Sequence, residues 1–308
     1  ERQMTDALIY IIELAAGILF LVKGSDIFID GAAGVAKKLG VSEHMIGLTL
    51  VAFATSLPEL AVSSIASFNN AEGIAIGNVI GSNVANICLV LGIAALIMNL
   101  KTTKETRRDA IFMAAVTFML FGVIAFDGVV NRYDAAFFLA VYVFFIFYLY
   151  RTHRENAEIE AEGGSYIREI AFVFTGAAAV VIGAHFLVES GVGIAELLGI
   201  SDLVIGLTMV ALGTSLPELA SSVAAALKKK HGIAIGNVVG SNIINILLVL
   251  GVAGAINPIS AGDTLRLTMP FLILVSVIAS VMSSRKIGKK EGAFLLALYV
   301  IFLIILFL

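Results

Sequence analysis

Apolar residues run along this chain in stretches far longer than the buried face of a soluble helix, and short polar breaks separate them. Ten such stretches occur, at 6–30, 43–68, 74–99, 109–127, 133–150, 169–195, 202–227, 232–256, 264–283 and 290–308. A hydrocarbon core of about 30 Å takes about 20 helical residues to cross, so each stretch is expected to be a transmembrane α-helix. The pattern predicts an all-α polytopic membrane protein of ten transmembrane helices. Composition agrees: of 308 residues, 59% are hydrophobic and 14% charged, and the mean hydropathy is +1.01. A soluble fold needs more surface charge than this, and no nucleic-acid partner is expected.

The net charge of -3 carries little information, but the placement of Lys and Arg does, because cytoplasmic loops collect them. With the N-terminus outside, Lys37, Lys38, Lys101, Lys104, Arg107, Arg108, Arg151, Arg154, Arg168, Lys228, Lys229, Lys230, Arg285, Lys286, Lys289 and Lys290 fall inside. Only Arg2, Arg132 and Arg266 fall outside, with Lys23 within the first span. Both termini are therefore expected on the outer face of a cell membrane. The first apolar stretch lacks a basic region followed by a small-residue cleavage site and reads as a span rather than a leader. A lone cysteine, Cys88, lies in the third span and reads as a small buried apolar residue.

One set of motifs occurs twice. GLTLVAFATSLPELAVSS begins at Gly47 and GLTMVALGTSLPELASS at Gly206; GIAIGNVIGSNVANICLVLG begins at Gly73 and GIAIGNVVGSNIINILLVLG at Gly232, all at an offset of 159 residues. The chain reads as a duplication. Residues 1–150 form a first repeat, with its motif block at 47–92, and 167–308 a second, with its block at 206–251. Five spans per repeat is an odd number, so the two copies are expected to enter the membrane with opposite orientations. Such inverted repeats place a substrate site near the midplane, at the repeat interface, on interrupted helices. The segment 151–166, with Glu155, Glu158, Glu160 and Glu162, reads as a solvated cytoplasmic linker.

The chemistry concentrates in A-x-x-T-S-L-P-E: Ala52, Thr55, Ser56, Pro58 and Glu59, then Ala211, Thr214, Ser215, Pro217 and Glu218. Proline lacks an N–H and crowds the carbonyl four residues before it, so carbonyls around 52–54 and 211–213 are expected to lose their helical partners. Hard cations such as Ca2+ and Na+ prefer oxygen ligands. Thr55 and Glu59 are four apart and share a helix face, so hydroxyl and carboxylate oxygens are expected to converge there. A carboxylate at membrane depth is costly and signals function. No basic residue lies in either motif, and two such carboxylates suit one divalent cation or two or more monovalent ones.

A second polar stripe has Asn78, Ser82 and Asn86 four apart, mirrored by Asn237, Ser241 and Asn245. Unsatisfied amides cannot face lipid, so both stripes are expected to face protein or a water-filled path. Gly73, Gly77, Gly81, Gly232, Gly236 and Gly240 fit close helix packing. Asp26, Lys23 and His185 lie deeper in spans one and six and are candidates for lining an ion path, whereas Asp30 and Glu189 lie near span ends.

These residues resemble the two alpha-repeats of the cation/Ca2+ exchanger superfamily, with GTSLPE (ATSLPE in the first copy) and GNVxGSN as signatures. Within it, the chain is similar to prokaryotic Na+/Ca2+ exchangers. The resemblance implies a secondary transporter, acting as a monomer without a cofactor, that exchanges Ca2+ for Na+ by alternating access. The long first and sixth spans would slide over a core of spans two, three, seven and eight. It also implies the ligands: Glu59 and Glu218 as acids; Thr55, Ser56, Thr214 and Ser215 through hydroxyls and nearby carbonyls; Ala52 and Ala211 through carbonyls; and Ser82, Asn86, Ser241 and Asn245 from spans three and eight. Asn245 stands where K+-dependent exchangers and certain archaeal ones have Asp, which argues against K+ co-transport. Ca2+/H+ antiport is the neighbouring alternative, although that branch carries Glu near the positions of Ser82 and Ser241. A cation channel fits buried carboxylates on broken helices less well, and an enzyme would need a nucleophile and base or a His cluster that His44, His153, His185 and His231 do not make.

Overall fold

The computed structural model describes residues 2–152, 166–197, 211–262 and 265–306. The linker glutamates, Gly206 and the rest of 201–210 lie outside the described residues, as does the side chain of Ala211. Helices follow the apolar stretches: α1 (Arg2–Leu39), α2 (Glu43–Thr55), α3 (Leu57–Phe68), α4 (Glu72–Ile97), α5 (Lys104–Asp127), α6 (Arg132–Thr152), α7 (Tyr166–Leu197), α8 (Leu216–Leu227), α9 (His231–Ile256), α10 (Leu265–Met282) and α11 (Lys289–Leu306). A short helical turn, Ala211–Gly213, precedes α8. Among the described residues six helices are long and apolar enough to cross a membrane, or seven if the bent pair α2 and α3 counts as one span.

The only strands among the described residues are Val129–Val130 and Ile259–Ser260, which pair antiparallel and tie the α5–α6 turn to the α9–α10 turn. At the end of α5, Gly128 adopts φ +76°, a left-handed cap conformation that glycine accepts without strain. The helix core is built from small and branched apolar residues such as Val79, Ile80, Val84, Val238, Ile243 and Leu247, all buried.

Two glycine seams set how closely backbones approach. Gly17, Gly24 and Gly31 on α1 recur every seven residues and meet α7. A Cβ added at Gly24 would lie 2.8 Å from the Ala179 Cβ, and one at Gly31 would lie 2.8 Å from the Phe172 Cβ. From the other side, a Cβ at Gly183 would lie 2.6 Å from the Leu21 nitrogen, and one at Gly176 would collide with Phe28. On α9, Gly232 and Gly236 abut the backbone of His44, and Gly240 abuts Leu48. Close packing, expected for these glycines, therefore holds in the second copy. For Gly73, Gly77 and Gly81 the corresponding neighbours, 201–210, lie outside the described residues.

Candidate functional site

The proline in each motif does what its missing N–H dictates. The helical path breaks at Ser56 (φ -85°, ψ 7°) and again at Ser215 (φ -88°, ψ 2°), with Pro58 and Pro217 in the first turns of α3 and α8. The break turns α3 by 45° from α2. Glu59 and Glu218 consequently fall in the first turn of a half-helix, where the N-terminal end of the helix dipole favours negative charge. Both are fully buried.

The expected loss of carbonyl partners is narrower than the motif implied. The Ala52 carbonyl keeps its bond from the Ser56 N–H at 3.0 Å and also accepts from the Thr55 hydroxyl at 3.3 Å. The reason is position: the absent N–H of Pro58 removes the partner of Ala54, four residues earlier, not that of Ala52. In the second copy the Ser215 N–H turns to the Leu212 carbonyl at 3.1 Å, so the chain there tightens before Pro217.

The hydroxyls also sort differently from the helix-face expectation. The Ser56 hydroxyl donates to Oε1 of Glu218, in the other half of the sequence, at 3.1 Å. Ser82 donates to Oε1 of Glu59 at 3.3 Å and lies 3.5 Å from the Thr214 hydroxyl. The Thr214 hydroxyl also lies against Glu59, and that of Thr55 against Glu218. Each carboxylate is thus met from both halves, Glu59 by Ser82 and Thr214 and Glu218 by Ser56, Thr55 and Ser241, because the two breaks face each other.

Asn78 and Asn237 clamp the halves together in matching ways. The Asn78 amide donates to the Glu59 carbonyl at 3.3 Å and to Ser63 Oγ at 2.9 Å, and its Oδ1 accepts from Thr214 at 3.1 Å. Asn237 donates to the Glu218 carbonyl at 3.3 Å and to Ser222 Oγ at 2.9 Å, and accepts from Thr55 at 3.1 Å. The stripe faces protein, as its polarity requires.

What remains after these bonds is a set of buried oxygens without a protein partner: Oε2 of Glu59, Oε2 of Glu218, Oδ1 of Asn86, Oδ1 of Asn245, and the hydroxyls of Ser215 and Ser241. Ser221 Oγ and Oδ1 of Asn242 join them; buried polar atoms are normally satisfied, so eight unpartnered oxygens on the two motif blocks, centred on two carboxylates, point to an occupant that accepts electron density. No group of three or more His, Cys, Asp or Glu that could hold a metal occurs among the described residues. The donor set is instead two carboxylates completed by neutral oxygens, which suits hard cations held loosely enough to be released.

Sequence reading missed two features. Residues Ala85–Val90 and Asn245–Val249 are wound as π-helix, a local insertion common at functional sites, which begins at or beside Asn86 and Asn245. Asn83 and Asn242, one residue off the stripe, meet each other, the Asn83 amide donating to the Asn242 carbonyl at 3.3 Å. No spacing rule flags either feature.

The proposed ion-path residues sit elsewhere. Asp26 and Asp30 pair with Lys228, at 3.5 and 2.7 Å. His185 pairs with Glu189 at 3.1 Å with its side chain 70% exposed, and Lys23 is exposed. Among the described residues no hydrogen bond or ion pair joins them to the two carboxylates. A separate buried pair, His44 Nε2 with Asp109 Oδ2 at 3.0 Å, ties α2 to α5.

The model of the family described as "Sodium/calcium exchanger protein" matches residues 9–151 and 169–308. The "Sodium/calcium exchanger MaX1" of Methanosarcina acetivorans is 39% identical over 96% of this chain and 97% of its own. The "Putative antiporter CaxA" of Alkalimonas amylolytica is 33% identical over 97% and 99%. A solved structure of the sodium-calcium exchanger NCX_Mj, soaked with Na+ and Sr2+, superposes with a TM-score of 0.87 at 35% identity, covering 96% of this chain and 97% of that one. Over nearly its whole length, then, this chain belongs to the sodium/calcium exchanger family, as a multi-pass membrane transporter and not an enzyme.

Proposed function

We propose that the protein exchanges Ca2+ for Na+ across the cell membrane by alternating access, the two ions competing for one set of oxygens around Glu59 and Glu218. The observation that carries this reading is the set of buried oxygens without a partner on the two motif blocks, centred on two fully buried carboxylates. Unpaired buried charge costs several kcal/mol per ion, and a Ca2+ ion, which takes six to eight oxygens, offsets it. Glu59, Glu218, Thr55, Ser56, Thr214, Ser215, Ser82, Asn86, Ser241 and Asn245 are the ligands or their immediate supports, with Ala211 contributing its carbonyl, whereas the Ala52 carbonyl reaches an ion only by giving up the Thr55 hydroxyl.

In this reading the chain is ten spans in two inverted repeats, 1–150 and 167–308, joined by a cytoplasmic linker, with both termini outside, and it works as a monomer. Contacts between residues 159 apart, such as Thr117 with Ser276 at 3.3 Å, support a two-fold relation between the halves. α1 and α7, packed on each other along their glycine seam, move together relative to the core. Exchange of more than two Na+ for each Ca2+ would make the cycle electrogenic, which an imposed membrane potential tests, and Asn245 in place of an acid fits K+ independence.

Protons instead of Na+ are the competing counter-ion, favoured by the absence of any basic side chain on either carboxylate. Proteoliposomes loaded with Na+ and diluted into Na+-free buffer separate the two. Na+-driven Ca2+ accumulation that ignores an imposed proton gradient is the expected result, and equal uptake driven by protons without Na+ would replace Na+ with H+ in the account.

A further inference from the structure

An asparagine amide is two-faced: one end accepts, the other donates twice. Only the accepting end can face a cation, and nothing in the residue itself chooses which end that is. At Asn245 a neighbour makes the choice. The Asn245 Nδ2 donates to Oδ1 of Asn83 at 3.1 Å, which leaves Oδ1 of Asn245 buried without a partner. Asn83 is itself held in register, since its own Nδ2 donates to the Asn242 carbonyl at 3.3 Å. Flipping Asn245 would bring two N–H groups into the site and set two amide oxygens, those of Asn83 and Asn245, against each other.

The matching position in the first repeat is not held this way. Both Nδ2 and Oδ1 of the fully buried Asn86 lack a partner. Asn242, which stands to Asn86 as Asn83 stands to Asn245, gives its Nδ2 to the Val238 carbonyl of its own helix at 2.7 Å.

We propose that Asn83 is a positioning residue for cation exchange: it locks the Asn245 amide with its oxygen toward the ion, so that a neutral side chain serves where an acidic one would need no orientation. The site is thereby asymmetric, with an oriented amide from α9 and an unoriented one from α4. This rests on the proposed site around Glu59 and Glu218, with Asn245 as a ligand.

The test is a double-mutant cycle of Ca2+ half-saturation for Na+-driven uptake in proteoliposomes. Asn83→Ala is expected to raise half-saturation by about 10-fold, the effect of losing the partner of a metal ligand, with maximal rate changed far less. In the Asn245→Asp background both ends of the ligand are oxygen, so the same Asn83→Ala change is expected to cost under about 3-fold. Equal losses in the two backgrounds would mean that Asn83 is only structural and would overturn the proposal. If Asn83→Ala does not fold, Asn83→Asp keeps an acceptor for the Asn245 amide. It is then expected to hold half-saturation at or below that of the unmodified protein, and a 10-fold rise would overturn the proposal instead. Glu59→Gln and Glu218→Gln, run beside them, keep the two failures apart: Ca2+ uptake that survives both carboxylate changes sinks the site itself, whereas loss of uptake there with equal Asn83 effects sinks only the orienting role.

Discussion

The helices that carry the motifs and the two long helices beside them are equally apolar in sequence but live in different surroundings. In α4 and α9, 72% and 78% of the most apolar stretch is buried within the protein, against 17% in α1 and 28% in α7. The buried pair is fixed by polar bonds that cross between the halves, from Thr214 to Asn78, from Thr55 to Asn237, and from Asn245 to Asn83. The exposed pair meets along glycines that bring backbone close to backbone, with side-chain contacts such as Phe20 with Phe186 and Lys38 with Glu169 at 3.2 Å beside them. Directional bonds with a steep distance dependence resist displacement, whereas a smooth seam of small residues permits it. The difference fits the division of labour in the proposed cycle, in which the core holds the oxygens still and α1 and α7 supply the motion.

Substitutions can break that comparison, beginning where the effect is largest. Glu218→Gln removes one of two charges from the buried site, and the loss of a buried charge partner is worth about 3 to 5 kcal/mol. Ca2+ affinity is expected to fall on the order of 1000-fold, read by isotope binding to purified protein. Asn237→Ala removes the clamp on the Glu218 carbonyl and on Thr55, and about a 10- to 100-fold weakening is expected in the same assay. Gly24→Val probes the other pair. The added side chain overpacks the seam by about 1–3 kcal/mol; turnover should slow about 10-fold while Ca2+ binding stays within about twofold. A loss of binding equal to the loss of rate would erase the proposed division. Smallest is Lys228→Ala, which breaks a partly exposed pair with Asp26 and Asp30 that is worth under about 1 kcal/mol, and exchange is expected to change by no more than about twofold.

Much of this was legible in the sequence, for definite reasons. Helices form where apolar runs are long enough to cross a bilayer, and the breaks at Ser56 and Ser215 follow from the chemistry of Pro58 and Pro217. Glu59 and Glu218 stood out because carboxylates in such runs have no cheap explanation. The partners of those carboxylates were not legible, since Ser56 reaches a residue 162 positions away and helix spacing speaks only of neighbours on one helix. The exposed positions of His185 and Lys23 were not legible for a related reason: in a helix apolar on every side, periodicity does not separate the lipid face from the core face. Asn83 escaped notice because it lies off the four-residue stripe, and the π-helical turns that re-aim Asn86 and Asn245 have no sequence signature of their own.

The claim at the centre is that Ca2+ and Na+ occupy the same oxygens. Calorimetric titration of Ca2+ into the purified protein at a series of Na+ concentrations tests it most directly. The apparent Kd for Ca2+ is expected to rise with Na+ more steeply than the first power, as displacement by more than one Na+ requires. A Ca2+ Kd that does not change with Na+, or that survives Glu59→Gln unaltered, would contradict the shared site.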